Sequence, residues 1–167
     1  MLKRNLIVVC GPTASGKTTV SKMVQKRAKH KIAYFDHDYW RETVFSKAKT
    51  ESKNLRFEVE LTAVLLALNY EWDVILDTTL SKVRLAKMLG EITKKSNSKI
   101  YKFYLDVSLE ESKIRHNNRE KSAEFGTDFI DKWYSHFDVL KPGSTILEQD
   151  LTIQEKANII LNTVYGE

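Results

Sequence analysis

The chain has 167 residues, 42% hydrophobic and 29% charged, with a formal net charge of +5 and a single cysteine. That is an ordinary globular composition, large enough for one full core and too short for two of usual size. No apolar run approaches the ~20 residues of a membrane span, and one cysteine excludes an internal disulfide or a thiolate metal cluster. Met1-Leu2-Lys3-Arg4 leads straight into an apolar stretch, leaving no room for a signal peptide. One cytoplasmic domain over residues 1–167, with no membrane partner, is expected.

Leu6-Ile7-Val8-Val9-Cys10 reads as a buried parallel strand. Cys10, at its end, reads as a small buried hydrophobe rather than a reactive thiol. Gly11-Pro12-Thr13-Ala14-Ser15-Gly16-Lys17-Thr18 follows and satisfies Gly-x-x-x-x-Gly-Lys-Ser/Thr at each fixed position. Val20, Met23, Val24 and Arg27 then recur at helical spacing, so strand, glycine turn and helix stand in the order the motif requires. Gly11 and Gly16 permit conformations that a Cβ opposes and bring backbone N–H groups close to phosphate oxygens. The new helix, with Thr19 in its first turn, aims its positive dipole end at the same anion. Lys17 would reach the β- and γ-phosphates, and the Thr18 hydroxyl would ligate Mg²⁺. Residues 11–19 therefore predict a bound nucleoside triphosphate, expected to be ATP with Mg²⁺.

Ile32-Ala33-Tyr34-Phe35-Asp36 reads as a second strand, and Asp36-x-Asp38-x-x-Arg41 closes it. Phosphoryl transfer to a hydroxyl needs a carboxylate to accept the proton and cations to neutralise the moving group. Asp38 suits the base, with Arg41 three residues on to hold it by opposite charge; Asp36 suits the magnesium site. An exposed acidic pair with an ordinary i,i+3 ion pair would look the same without the phosphate loop. Tyr39 and Trp40 could stack on a terminal base or simply pack.

The segment from His37 to about Ala48 reads as short helix or irregular structure, and residues 49–54 as a polar loop. Leu55, Val59, Leu61, Leu65, Leu66 and Leu68 predict a long, well-buried helix to Tyr70. Val74-Ile75-Leu76 has the form of a central parallel strand and stops at Asp77. Asp77 could hold a water on Mg²⁺ or anchor a neighbouring arginine. Arg84, one turn into a helix capped by Ser81 and lasting to about Lys95, could bind an acceptor phosphate or be structural.

Ile100 to Val107 reads as the next strand, and Ser108-Leu109-Glu110-Glu111 as a capping box. Arg115 and Arg119 share a helix face, where guanidinium forks could clamp triphosphate oxygens or form a solvated basic helix end. His116 reads as a surface residue. A loop around Gly126, an amphipathic stretch (Phe129, Ile130, Trp133, Phe137) and a Lys141-Pro142-Gly143 turn follow. Thr145-Ile146-Leu147 is expected as the last strand, and Thr152-Ile153-Gln154-Glu155 as a second capping box opening the C-terminal helix.

Strands alternating with helices imply an α/β parallel sheet covered on both faces. Ligands then bind beyond the carboxyl ends of the strands, where Asp36, Asp38 and Asp77 fall. Residues 82–121 hold 11 Lys/Arg against 5 Asp/Glu. That excess could attract nucleic acid or form a solvated helix face.

Together, Gly11–Thr18, Asp38-x-x-Arg41, Asp77-Thr78-Thr79-Leu80 with Arg84, and Arg115-x-x-x-Arg119 resemble phage-type 5′-hydroxyl polynucleotide kinases. Wider relatives are small P-loop kinases of the adenylate-kinase, gluconate-kinase, chloramphenicol-phosphotransferase and zeta-toxin kind. The resemblance runs from Leu6 to about Phe137. It implies a P-loop NTPase three-layer sandwich with strand order 2-3-1-4-5. It also implies Asp38 as general base, Arg41 as its partner and acceptor contact, and Arg115 and Arg119 on a lid spanning about 115–127. The loop departs from the Pro-Gly-Ser wording usual in those kinases and is similar to that of tRNA dimethylallyltransferases, a family of longer chains with a different second-strand motif. A phosphatase activity is not expected. The readings to separate are a 5′-hydroxyl polynucleotide kinase, a kinase of a small hydroxyl compound, and a nucleotide-dependent switch with no acceptor.

Overall fold

The computed structural model describes residues 3–45, 52–118, 130–131, 134 and 141–167. Five parallel strands form one sheet in the order β2-β3-β1-β4-β5: β1 (Arg4–Cys10), β2 (Ile32–Asp36), β3 (Asp73–Asp77), β4 (Ser98–Leu105) and β5 (Thr145–Leu147). This is the strand order of the P-loop NTPase-like fold that the resemblance implies.

Alternate residues of each strand face opposite sides, so the continuous apolar runs serve two cores. Leu6, Val8, Cys10, Val74, Leu76 and Tyr104 face α3 (Lys53–Asn69) and α4 (Lys82–Lys95), which contribute Phe57, Leu61, Val64, Leu85, Met88 and Ile92. Ile7, Val9, Ile75, Phe103 and Leu105 face α1 (Lys17–Arg27) and the C-terminal helix, here α6 (Ile153–Tyr165), through Val20, Val24, Ala157 and Ile160. α5 (Leu109–Asn117) follows β4. Between β2 and α3 the chain makes a three-residue helix, α2 (His37–Tyr39), and a wide π-helical turn, Trp40–Val44.

Several local expectations shift. The third helix begins at Lys53, inside the stretch read as loop, and its buried stripe is Arg56, Phe57, Glu60, Leu61, Val64 and Leu68. Leu55 and Leu66 lie on its exposed side, because the 3.6-residue period carries them away from the stripe. Thr152 and Glu155 form the full capping box, whereas Ser108 caps Glu111 N–H without the return bond: its own N–H goes to Gln149. Ser81 begins α4 with no side-chain cap. His116 is buried, not on the surface, because it lies one turn beyond Ser112 on the inner face of α5. Phe129, Trp133, Phe137, Gly126 and Arg119 lie outside the described residues, as does most of the expected lid. Among the described residues no helix is long and apolar enough to cross a membrane.

Candidate active site

The sheet register assembles the site. Asp36 at the end of β2 pairs with Asp77 at the end of β3, and Asp77 pairs with Val9, two residues before Gly11. Adjacent strands lie about 4.8 Å apart, so the phosphate loop and the acidic strand ends share one edge.

Gly11 has φ +145°, Ala14 φ +60° and Gly16 φ +94°. This succession winds the loop tightly before α1 opens at Lys17. A Cβ on Gly11 would stand 2.6 Å from the Leu105 carbonyl oxygen. Both the backbone conformation and the packing on β4 therefore require glycine there. Gly11→Ala is expected to lower stability by about 1–3 kcal/mol, read as a lower denaturant midpoint. Gly16 has open space around a Cβ and needs glycine for its φ alone.

Lys17 is buried, and its Nζ donates to the carbonyls of Gly11 (3.1 Å) and Pro12 (2.9 Å). The Ser15 hydroxyl is also buried and has no hydrogen-bond partner among the described residues. A cradle of turned N–H groups with a buried ammonium and an unspent hydroxyl suits a phosphate. Ser112 of α5 clips the loop through a 2.6 Å bond to the Thr13 carbonyl. Cys10, directly before the loop, is buried, and desolvation pushes its thiol up to about 11, so it stays protonated and inert at neutral pH.

Thr18 Oγ1 donates to Asp77 Oδ2 at 2.7 Å, and the Tyr34 hydroxyl reaches the same oxygen at 3.0 Å. Burial raises the Asp77 carboxyl above its ordinary value, opposed by the Lys17 charge and by these hydrogen bonds. With its proton committed to Asp77, the Thr18 hydroxyl keeps its lone pairs for a cation. Mg²⁺ retains several waters and takes few protein oxygens, so this pair fits it. No cluster of three or more His, Cys, Asp or Glu suited to a metal occurs among the described residues. Asp36 is otherwise engaged: Oδ1 caps α2 at Asp38 N–H (2.9 Å) and Oδ2 accepts from Tyr34 (3.3 Å).

Asp38 Oδ1 is held by Arg41 at 3.1 Å and accepts from the Thr79 hydroxyl at 3.1 Å. The structure thus joins two motifs read separately: Asp38-x-x-Arg41 and, through Thr79, Asp77-Thr78-Thr79-Leu80. Arg41 also pairs with Glu42 at 2.8 Å. Arg84 stands apart, donating to the Lys53 carbonyl and Asn54 and lying 5.9 Å over the Phe57 ring. Between them Arg56 is buried, and desolvation, then the charges of Arg41 and Arg84, lower it from its ordinary value. Arg115 pairs with Glu111 at 2.6 Å and lies within 3.5 Å of the Ser15 carbonyl, over the phosphate loop.

Tyr34 and Thr79 complete the site without having been assigned roles. Tyr34 was legible as the residue two before Asp36, on the same strand face; nothing in the local pattern singles out Thr79 over Thr78. Glu60 and Arg56 were visible as charges at positions of an otherwise apolar stripe of α3.

The family described as AAA domain matches residues 6–140. No curated protein matches the sequence. A sugar kinase from Janibacter sp. HTCC2649 superposes with TM-score 0.70 at 15% identity, over 96% of this chain and 94% of that one. The Mycobacterium tuberculosis APS kinase CysC, in complex with AMPPNP and APS, gives TM-score 0.71 at 13% identity over 97% and 98%. A chain of the Pnkp1/Rnl/Hen1 RNA repair complex gives 0.71 at 18% identity, over 84% of this chain and 46% of that one. These likenesses are of fold: a P-loop kinase-like sheet and helices.

Proposed function

Because the chain belongs to the AAA domain family, we propose that it is an ATP-dependent kinase that transfers the γ-phosphoryl group to an acceptor hydroxyl. The observation that carries this reading is the Asp38 carboxylate, fixed by Arg41 and Thr79 on the sheet edge that bears the phosphate loop. A switch needs no such oriented carboxylate beside its phosphate site. In this reading Gly11 to Thr19 cradle the triphosphate, and Lys17 leaves its loop carbonyls for the phosphate oxygens. Asp38 takes the proton of the acceptor hydroxyl as that oxygen attacks. Arg41 orients Asp38 and contacts the acceptor, while Arg115 exchanges Glu111 for the moving phosphoryl group, joined by Arg119. Mg²⁺, held by Thr18 with Asp77 behind it, would supply charge neutralisation at the phosphates; Asp36 supports the loop that faces it.

The acceptor we favour is the 5′-hydroxyl of a polynucleotide. Arg84 and Lys87 lie over the Phe57 ring in a groove of about 260 Å³ completed by Asn54 and Glu58. Tyr39 is 54% exposed one residue from Asp38, a position from which a ring can stack on a terminal base. The sugar-kinase and APS-kinase likenesses support a small-molecule acceptor as the second reading.

Transfer from γ-labelled ATP to a panel of 5′-hydroxyl DNA, RNA, nucleosides and sugars tests both. Labelling of an oligonucleotide is expected, with affinity that falls steeply with salt as counterions are released. Labelling confined to a nucleoside or sugar would install the second reading, and no transfer to any acceptor would sink the kinase.

A further inference from the structure

We propose that His37 and Glu60 form a positioning pair that sets the orientation of α2 and so of the Asp38 carboxylate; the role of Asp38 rests on the kinase reading above. His37 Nδ1 lies 2.7 Å from Glu60 Oε2, joining the helix that carries Asp38 to the middle of α3.

The need for an anchor follows from the size of α2. It is three residues long, far below the ~12 at which a helix begins to hold itself in water. It also passes directly into a π-helical turn, a geometry commonest as single turns at functional sites. Tertiary contacts must therefore decide which way its side chains face. Neighbouring residues on a helix point about 100° apart, so a slip of one residue would carry Asp38 away from Thr79. The Arg41 contact cannot prevent that, because Arg41 belongs to the same segment and travels with it. Asp36 secures the backbone at one end. His37, turned into α3, fixes the rotation.

Glu60 has two polar neighbours, the buried Arg56 whose charge it offsets and His37. It is fully buried, on the stripe of α3 that carries Phe57, Leu61 and Val64 against the sheet. Its Oε1 is buried too and has no hydrogen-bond partner among the described residues. Apolar packing gives no reason for a carboxylate there, since a buried charge is costly unless it is paired and hydrogen-bonded. Arg56 supplies the opposite charge and His37 the 2.7 Å polar contact.

Two substitutions separate the hydrogen bond from the ring. His37→Phe keeps a ring and drops the donor, while His37→Asn places an amide N–H close to where Nδ1–H stood. Each is measured for kcat and KM with the best acceptor, for affinity toward a non-hydrolysable ATP analogue, and for amide hydrogen exchange over residues 38–44. His37→Phe is expected to lower kcat about tenfold or more and to speed exchange in that segment by a similar factor. ATP-analogue affinity should hold within about twofold, and His37→Asn should restore both losses to within about threefold. Glu60→Leu, which extends the apolar stripe but leaves the buried Arg56 without that counter-charge, is expected to fold with a lowered Tm and to share the defects of His37→Phe. It keeps the test open if His37→Phe does not fold. Unchanged kcat and exchange in His37→Phe or Glu60→Leu, or His37→Asn no better than His37→Phe, would overturn the pair. A wild-type protein with no transfer at all would instead overturn the kinase reading, and the exchange measurements would still decide whether the pair holds α2.

Discussion

Lys17→Ala is expected to abolish measurable phosphoryl transfer in a protein that still folds. The ammonium is buried in the loop, spent on the carbonyls of Gly11 and Pro12. Those two bonds hold a cation where the nucleotide's phosphates are to arrive. Gly11 and Pro12 are themselves buried, so their carbonyls lose a partner away from water, and stability should fall by about 1–3 kcal/mol. The chemical loss is larger. A pre-oriented charge aimed at developing negative charge is worth roughly 10²–10³ in rate, and triphosphate binding suffers in addition. The measurements are single-turnover transfer at saturating ATP, nucleotide affinity by titration, and a denaturant melt. Unchanged turnover in a folded Lys17→Ala protein would remove the phosphate loop from the chemistry.

Legibility from sequence followed how locally each feature is determined. The phosphate loop was readable because its requirements are local: two glycines at positive φ, then a lysine and a threonine opening a helix. The sheet was readable because central parallel strands are short apolar runs that stop at a turn or a polar residue, as Leu6–Cys10 does at Gly11 and Val74–Leu76 at Asp77. Their order was accessible only through resemblance, since crossover topology leaves no mark on any one strand. The exposed sides of α3 were misread at Leu55 and Leu66. Leucines are so frequent along that helix that the apolar stripe is defined better by where Arg56 and Glu60 fall than by the leucines. His116 was misread because its neighbours in sequence are polar, while burial on α5 depends on Ser112 meeting the phosphate loop from 99 residues away. The Asp38–Thr79 and His37–Glu60 bonds span 41 and 23 residues. Contacts of that separation are products of the packing, and local pattern holds no trace of them.

Asp38→Asn is expected to bind ATP normally and lower transfer by about 10²–10⁴, the usual worth of a positioned base. The substitution is close to isosteric. An asparagine carbonyl oxygen can still accept from Arg41 and from the Thr79 hydroxyl, which meet Asp38 at 3.1 Å each. Geometry is thereby kept, and the capacity to take a proton is lost. Asp36→Asn provides the contrast. Its Oδ1 caps α2 through Asp38 N–H and Tyr39 N–H, and asparagine caps helices as well as aspartate does. Its Oδ2 accepts from Tyr34, a bond whose direction an amide can reverse. Asp36→Asn should therefore lose less than about tenfold, since none of its contacts requires proton transfer. Both variants are compared by ATP affinity and single-turnover transfer with the best acceptor. A near-normal Asp38→Asn beside an inactive Asp36→Asn would move the base to Asp36, where the tyrosine bridge to Asp77 would have to open to admit the acceptor. Normal transfer by both would mean that neither Asp36 nor Asp38 is the base, and the role proposed for Asp38 would fail.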